Sequence, residues 1–226
     1  ALMSRERLFE DHCYRWVYGD SDGLPGLVID RFDQVLVVQI SNAGIELLLP
    51  KLLEAINQVV PKLNILLKND GKMRALEGLD EYVRVAQGEV PKLAPLKENG
   101  VNFLAPVWEG QKTGWFYDHR LNRRRVQKLA HGKRVLDVFS YTGGWGVQAA
   151  VAGAEAVICV DASAQALDLV DQQAALNGVS DKVKSLKGDA FTTMRQLHEE
   201  GERFDMVIID PPSFIARRKD IKAGEL

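Results

Sequence analysis

Cysteine is almost missing from this chain: its 226 residues hold two, Cys13 and Cys159. They supply neither a disulfide framework nor the paired spacing of a metal site. Cys159 sits in an apolar run and reads as an inert core thiol. Cys13 is expected on an opening helix. Long hydrophobic stretches are also lacking, since no apolar run reaches the roughly 20 residues of a membrane helix and no segment resembles a signal peptide. Nor does one charge dominate: 29 Lys and Arg stand against 31 Asp and Glu, a formal net charge of −2. Without a global positive field, contact with nucleic acid has to come from local patches. The chain has no internal repeat and no low-complexity segment. These absences fit a cytoplasmic enzyme without metal or membrane, and 46% hydrophobic residues suffice for two small domains with separate cores.

What is present concentrates in the second half. Val135-Leu-Asp-Val-Phe-Ser-Tyr-Thr-Gly-Gly-Trp-Gly146 is an apolar run that ends in an acid and opens into a glycine loop. That pattern predicts a strand delivering a ligand to a helix start, with Gly143, Gly144 and Gly146 allowing backbone to approach it. Ala156-Val-Ile-Cys-Val-Asp161 is a second apolar run ending in an acid, 18 residues after Gly143, about the offset of a ribose-binding carboxylate. Val183-Lys-Ser-Leu-Lys-Gly-Asp189 and Phe204-Asp-Met-Val-Ile-Ile-Asp210 repeat the theme, and the last runs into Pro211-Pro212-Ser213-Phe214. Helical patterns over 146–151, 163–176 and 191–200 lie between these strands. Strands alternating with helices predict a parallel α/β sheet with its ligand at the carboxyl ends of the strands.

Two cofactors compete for such a site. A nicotinamide dinucleotide calls for G-x-G-x-x-G, with its pyrophosphate on the helix N-terminus. The loop here reads Thr142-Gly-Gly-Trp-Gly146 and lacks that spacing. S-adenosylmethionine has no phosphate and needs backbone approach to its aminoacyl end, an acid on the ribose and a polar group on the adenine amine. Asp137, Asp161 and Asp189 suit those tasks in chain order. Asp210 then falls where a reactive methyl would project, and Pro211 and Pro212 fix φ and remove donors, making the loop rigid. Methyl transfer is largely a matter of orientation.

The first hundred residues predict strands at 26–32 and 35–40 around a tight turn at Asp33-Gln34. A helix ending near Val60 and strands at 65–68 and 82–86 follow. Asp22-Gly23 and Pro25-Gly26 are turn chemistry. Residues 88–100 read as a linker, and 102–107 with 113–117 as a hairpin in which Trp115, Phe116 and Tyr117 cover the core or approach a ligand. Asp118 and Arg120 read either as partners of a ligand's charged groups or as a surface ion pair of little worth. Residues 119–134 contain seven Lys or Arg and no acid. Leu121, Arg125, Val126 and Leu129 suggest a buried side, leaving Arg123, Arg124 and Lys128 to meet phosphates. Arg217, Arg218 and Lys219 form a second basic cluster beside Asp210-Pro-Pro.

These motifs resemble a known family. Lys112-Thr-Gly-Trp-Phe-Tyr-Asp-His-Arg120, Asp137-Val-Phe-Ser-Tyr-Thr-Gly-Gly144, Val160-Asp-Ala-Ser163, Gly188-Asp189 and Asp210-Pro-Pro-Ser-Phe214 look like the class I S-adenosylmethionine-dependent methyltransferases of large-subunit rRNA. The likeness is nearest the 23S rRNA cytosine-C5 branch, and Ser21-Asp-Gly-Leu-Pro-Gly-Leu-Val-Ile-Asp-Arg31 extends it upstream. The resemblance implies a Rossmann-like sheet of which four strands are present, in the order 3-2-1-4, leaving Met206–Ile209 as an open edge. A small α+β strand-strand-helix-strand-strand domain (1–100) that orients RNA or serves as a scaffold would precede it, then a hairpin connector (101–118) and the amino-terminal part of the cofactor-binding domain (119–226). It places cofactor contacts on Phe116, Asp118, Arg120, Asp137, Phe139, Tyr141, Thr142, Gly143, Gly144, Asp161, Ala162, Ser163, Asp189, Ala190 and Asp210. Asp210, Pro211 and Pro212 would hold the target base or the methyl donor. RNA contacts would fall on Lys112, Arg123, Arg124, Lys128, Arg217, Arg218 and Lys219.

The implied partner is 23S rRNA or a large-subunit precursor, with a homodimer as a further expectation. The resemblance also implies that the chain is clipped at both ends, lacking a preceding PUA domain and a later nucleophilic cysteine that neither Cys13 nor Cys159 matches. Such a piece would hold part of the cofactor site without turning over. A guanine-methylating relative, a non-catalytic RNA-binding module and, less favoured by the loop, a nicotinamide oxidoreductase stay open.

Overall fold

A computed structural model describes residues 1–212. The chain divides into two compact units that meet in sequence at Arg120 and Leu121. In the first unit a short helix α1 (Leu2–Leu8) leads into a five-stranded sheet of β1 (Cys13–Tyr18), β2 (Leu27–Phe32), β3 (Val35–Ile40), β4 (Asn64–Asn69) and β5 (Tyr82–Gln87), in that spatial order. All neighbours are antiparallel except β3 and β4, which run parallel. That parallel pair requires a crossover, supplied by α2 (Ala43–Leu47) and α3 (Leu49–Val59). Asn42 starts the crossover: its side chain accepts the Ile45 N–H at 2.8 Å and donates to the Pro25 carbonyl at 2.7 Å. Leu49 and Ile56 then carry the apolar face of α3 onto Leu36, Val38, Ile65 and Leu67 of the sheet.

Two expectations fail in this unit. Cys13 lies on β1, not on a helix; Cys13, Tyr14, Trp16 and Val17 are all buried, so aromatic and β-branched character outweighs the charged residues upstream. The hairpin also falls earlier than expected. It pairs β6 (Ala94–Glu98) with β7 (Val101–Ala105) through Asn99-Gly100, both at positive φ (53° and 81°), the geometry that Asn-Gly favours in a two-residue turn. The supposed linker therefore contains a strand, and the connector lies within the first unit. Residues 113–117 form no strand, because Lys112 (φ 50°) and Gly114 (φ 103°) break the extended path.

The second unit starts with α4 (Arg120–Ala130) and builds β8 (Arg134–Val138), α5 (Gly146–Val151), β9 (Ala156–Asp161), α6 (Ala164–Leu176), β10 (Val183–Lys187), α7 (Ala190–Glu199) and β11 (Met206–Ile209). The four strands are parallel, as the alternation of strand and helix predicts, and lie in the order β10-β9-β8-β11 that the resemblance implies. Leu136, Val138 and Val160 pack on Ala190 and Leu197 of α7. Among the described residues β11 pairs on one side only, and its Val207 and Ile209 are half exposed.

Gly146 fixes the distance between α5 and the sheet. A Cβ there would sit 2.5 Å from Cys159 Sγ and 3.1 Å from Asp137 Oδ2, both fully buried. Gly146→Ala is therefore expected to lower the stability of the second unit by about 1–3 kcal/mol through overpacking. Gly71→Ala, where the new Cβ meets nothing and φ is −82°, should stay within about 0.5 kcal/mol. Thermal melting of the two variants checks the contrast.

Candidate cofactor site

The carboxyl ends of β8, β9 and β11 and the turn after β10 bring Asp137, Asp161, Asp210 and Asp189 to one edge of the parallel sheet. The loop between β8 and α5 shapes that edge. Phe139 (φ 64°), Tyr141 (φ 48°) and Gly143 (φ 79°) are all left-handed, a conformation that costs bulky residues on the order of 1–3 kcal/mol each. Hydrogen bonds hold it: Ser140 N–H to the Val160 carbonyl at 3.0 Å, Gly143 N–H to the Ser140 carbonyl at 2.8 Å, and Tyr141 N–H to Asp161 Oδ2 at 2.9 Å. Gly143 is needed for packing as well, because a Cβ would meet Val147 at 3.0 Å and Val170 at 3.2 Å. The absent side chain thus makes room for α5 and α6 at Gly143 and for β8 and β9 at Gly146, whereas the sequence suggested room for a ligand.

Each acid is held differently. Asp137 is fully buried; its Oδ2 accepts the Gly146 N–H at 2.8 Å, while its Oδ1 has no partner among the described residues. Burial pushes its carboxyl up to about 7, with the Gly146 N–H opposing, the charges of Asp210 and Asp161 adding, and Arg123 opposing. Asp161 uses Oδ1 for the Ser163 N–H at 2.9 Å and Oδ2 for Tyr141, which leaves each oxygen a lone pair for a further donor. Asp189 caps α7 by accepting the Thr192 N–H at 3.0 Å, and that N–H holds its carboxyl below the usual value. Ala190 begins that helix and is buried. Asp210 accepts the Trp145 indole N–H at 3.1 Å.

Unpartnered atoms converge on the same loop. Among the described residues five buried side-chain polar atoms lack a hydrogen-bond partner, and three of them are Asp137 Oδ1, Ser140 Oγ and Thr142 Oγ1. Such atoms cost about 1–3 kcal/mol each when nothing meets them, so their clustering makes this loop the candidate ligand site. Ser140 was not among the expected contacts. Nothing in the sequence sets it apart from its neighbours, because the left-handed turns on either side of it decide which side chains face in. Phe139 sits edge-on to Phe191, centroids 6.4 Å apart, while Ala162 and Ser163 are exposed, with Ser163 capping α6. A groove lined by Arg134, Ile158, Lys184 and Phe204 lies at the opposite, amino ends of these strands, away from the acids.

The basic helix departs from its expected pattern. Leu121 and Leu129 are each 64% exposed, whereas Arg123 is 3% exposed with its guanidinium 5.7 Å from the Trp145 ring centroid. Arg123 is therefore an interior cation and not part of a phosphate-facing surface; Arg124 and Lys128 are exposed. Arg217, Arg218 and Lys219, with Ser213 and Phe214, lie outside the described residues.

The segment 112–120 belongs to the first unit, where it alternates. Thr113 Oγ1 donates to Asp30 at 2.6 Å, Trp115 Nε1 to Glu98 at 3.0 Å and the Tyr117 hydroxyl to the Arg31 carbonyl at 2.7 Å. Asp30 is itself buried and paired with Arg15 at 2.9 Å. Arg120 is buried as well, donating to the Cys13 carbonyl with its guanidinium 4.2 Å from the Phe9 ring centroid. This corrects the reading of Arg120 as a ligand or ion-pair partner of Asp118, since it is spent inside the small unit. Lys112 and Asp118 are exposed, and Lys112 lies 4.9 Å from the centroid of the half-buried Phe116.

Comparison with known proteins bears on this arrangement. A family model described as S-adenosylmethionine-dependent methyltransferase matches residues 72–220. The Ribosomal RNA large subunit methyltransferase I of Alteromonas mediterranea is 39% identical over 225 residues, 98% of this chain and 57% of the relative. That of Aeromonas salmonicida is 41% identical over 203 residues, 89% of this chain and 51% of the relative. The chain spans about half the length of the curated relatives it matches. Among solved structures SMU.776, described as a methyltransferase complexed with SAH (S-adenosylhomocysteine), superimposes with a TM-score of 0.83 at 27% identity, covering 96% of this chain and 56% of that one. A SAM-dependent methyltransferase from Streptococcus mutans shares the fold, with a TM-score of 0.81 at 24% identity over 99% of this chain and 61% of that one. The family match takes in the last strands of the small unit and the whole acid-edged sheet, and on it this chain belongs to the S-adenosylmethionine-dependent methyltransferases.

Proposed function

We propose that this chain binds S-adenosylmethionine at the carboxyl edge of the parallel sheet and forms part of a methyltransferase acting on large-subunit rRNA, at carbon 5 of a cytosine. The observation that carries the cofactor reading is the convergence of Asp137 Oδ1, Ser140 Oγ and Thr142 Oγ1, all buried and unpartnered, on the glycine loop. These groups fit an aminoacyl end: Asp137 accepts from an ammonium, and the two hydroxyls donate to a carboxylate. Asp161, steadied by the Tyr141 and Ser163 N–H groups, keeps acceptors for two ribose hydroxyls. Phe139, beside Phe191, offers an apolar surface near Asp189, where an adenine amine finds an acceptor. When bound, the cofactor supplies a methyl group on a sulfonium, already electrophilic, so the protein's task is orientation.

The rRNA substrate is supported by the relatives' names and by the motifs of the chain, and the cytosine by the motifs alone. Asp210 and the two prolines after it would receive a base drawn out of its stack. Carbon 5 of cytosine is a poor nucleophile, and activating it takes a thiolate at carbon 6. Cys13 and Cys159 do not serve, because both are buried and burial raises both thiols, Cys159 well above the ordinary value. Exposed Arg124 and Lys128 of α4, together with Lys112, are candidates for phosphate contact.

Calorimetric titration tests the cofactor site. The chain should bind S-adenosylhomocysteine saturably and NAD not at all, and Asp161→Ala should weaken the former at least tenfold; absence of binding to the wild-type chain would remove the reading.

Asp137 gives a pH dependence. Its carboxyl titrates at about 7 in the folded chain against an ordinary value of 3.8, so between those values the folded chain keeps a proton that the unfolded chain gives up. Its stabilising contribution is complete below about 4 and lost as pH rises through about 7. Asp137→Asn should therefore stabilise the second unit at pH 8 by roughly 1–3 kcal/mol relative to wild type, with a smaller difference at pH 5. The same variant should bind S-adenosylhomocysteine about tenfold more weakly. Melting curves at both pH values, with and without ligand, would refute the assignment if variant and wild type changed in parallel.

A further inference from the structure

An aspartate at a loop start commonly fixes its own carboxylate by accepting the N–H two residues on. Asp161 does so with Ser163, while Asp189 takes the N–H three residues on, at Thr192. At Asp210 the donor two residues on is missing, because residues 211 and 212 are both proline and carry no N–H. A donor reaches it from 65 residues away in sequence: Trp145 Nε1 donates to Asp210 Oδ2 at 3.1 Å. Trp145 itself stands between the glycine loop and α5, with the buried Arg123 guanidinium 5.7 Å from its ring centroid. Arg123 therefore seats the indole by a cation–π contact and places a positive charge near Asp137.

We infer that Trp145 is a positioning residue for Asp210: its indole N–H anchors a carboxylate that lacks a donor two residues on, and Arg123 fixes the plane from which that N–H points. The inference rests on the methyltransferase reading for its effect on turnover, though not for the hydrogen bond itself. Trp145 acts through Asp210 and not on the methyl donor. Losing its N–H should therefore disturb the reacting groups at the end of β11 more than cofactor binding at β8 and β9.

Trp145→Phe tests this, since it keeps a ring beneath Arg123 and deletes the N–H. The chain has four tryptophans, so four indole N–H resonances are expected in a nitrogen–proton correlation spectrum, and Trp145→Phe identifies one of them. That resonance should shift in Asp210→Ala, while the other three stay in place. In the full-length enzyme, Trp145→Phe should lower kcat on an rRNA fragment by 10- to 100-fold with the Kd for S-adenosylhomocysteine within about threefold of wild type. Adding Trp145→Phe to Asp210→Ala should then cost nothing more. An indole resonance indifferent to Asp210→Ala, or a kcat unchanged in Trp145→Phe, would overturn the inference while leaving cofactor binding intact. Wild-type protein that binds no S-adenosylhomocysteine would instead overturn the methyltransferase reading and, with it, the effect on turnover.

Discussion

The second unit depends on one contact, the bond from the Gly146 N–H to the buried carboxylate of Asp137. It joins the strand that enters the glycine loop to the helix that leaves it, and it places them so close that residue 146 has room for nothing larger than hydrogen. With both ends pinned, the connecting residues must fold back sharply, which is why Phe139 and Tyr141 accept a backbone conformation that their side chains resist. The same reversal turns the Tyr141 N–H onto Asp161 and leaves Ser140 and Thr142 facing inward without partners. A single packing constraint thus arranges groups from two strands and a loop.

That arrangement is locally unfavourable. It combines a carboxylate without enough donors, two hydroxyls without partners and neighbouring acids of like charge, with Arg123 as an interior cation opposing them. The apolar packing of β8 and β9 against α5, α6 and α7 has to carry it. A ligand bearing an ammonium, a carboxylate and a diol would satisfy most of these groups together, so the loop is complementary in chemistry as well as in position.

The doubly wound half was legible because its strands announce themselves: β8, β9 and β11 are short apolar runs leading to an acid, and the intervening helices have caps that can be read directly, as at Ser163 and Asp189. Alternation makes the sheet parallel, and the order β10-β9-β8-β11 is the one the family resemblance implies. The first unit was harder to read. β1 is too mixed in composition to declare itself, and its aromatics are buried by partners far along the chain. The Asn99-Gly100 hairpin was available from turn chemistry, yet the prolines on its approach favoured a linker. Arg123 escaped because charge is an unreliable guide to exposure when an aromatic face waits inside, and the exposed Leu121 and Leu129 misled in the same helix for the opposite reason. At the site, the acids could be read but their roles could not, since each is defined by which N–H it accepts.

The segment from Lys112 to Arg120 looks like one signature, but its side chains answer to two masters. Thr113, Trp115, Tyr117 and Arg120 are committed to the interior of the small unit, through Asp30, Glu98 and two backbone carbonyls, while Lys112 and Asp118 face outward. Another protein that shared this string would share, residue for residue, more of a folding instruction than of a chemical one. A likeness here testifies first to a common small unit, and any claim about a common reaction has to be carried by the outward residues alone.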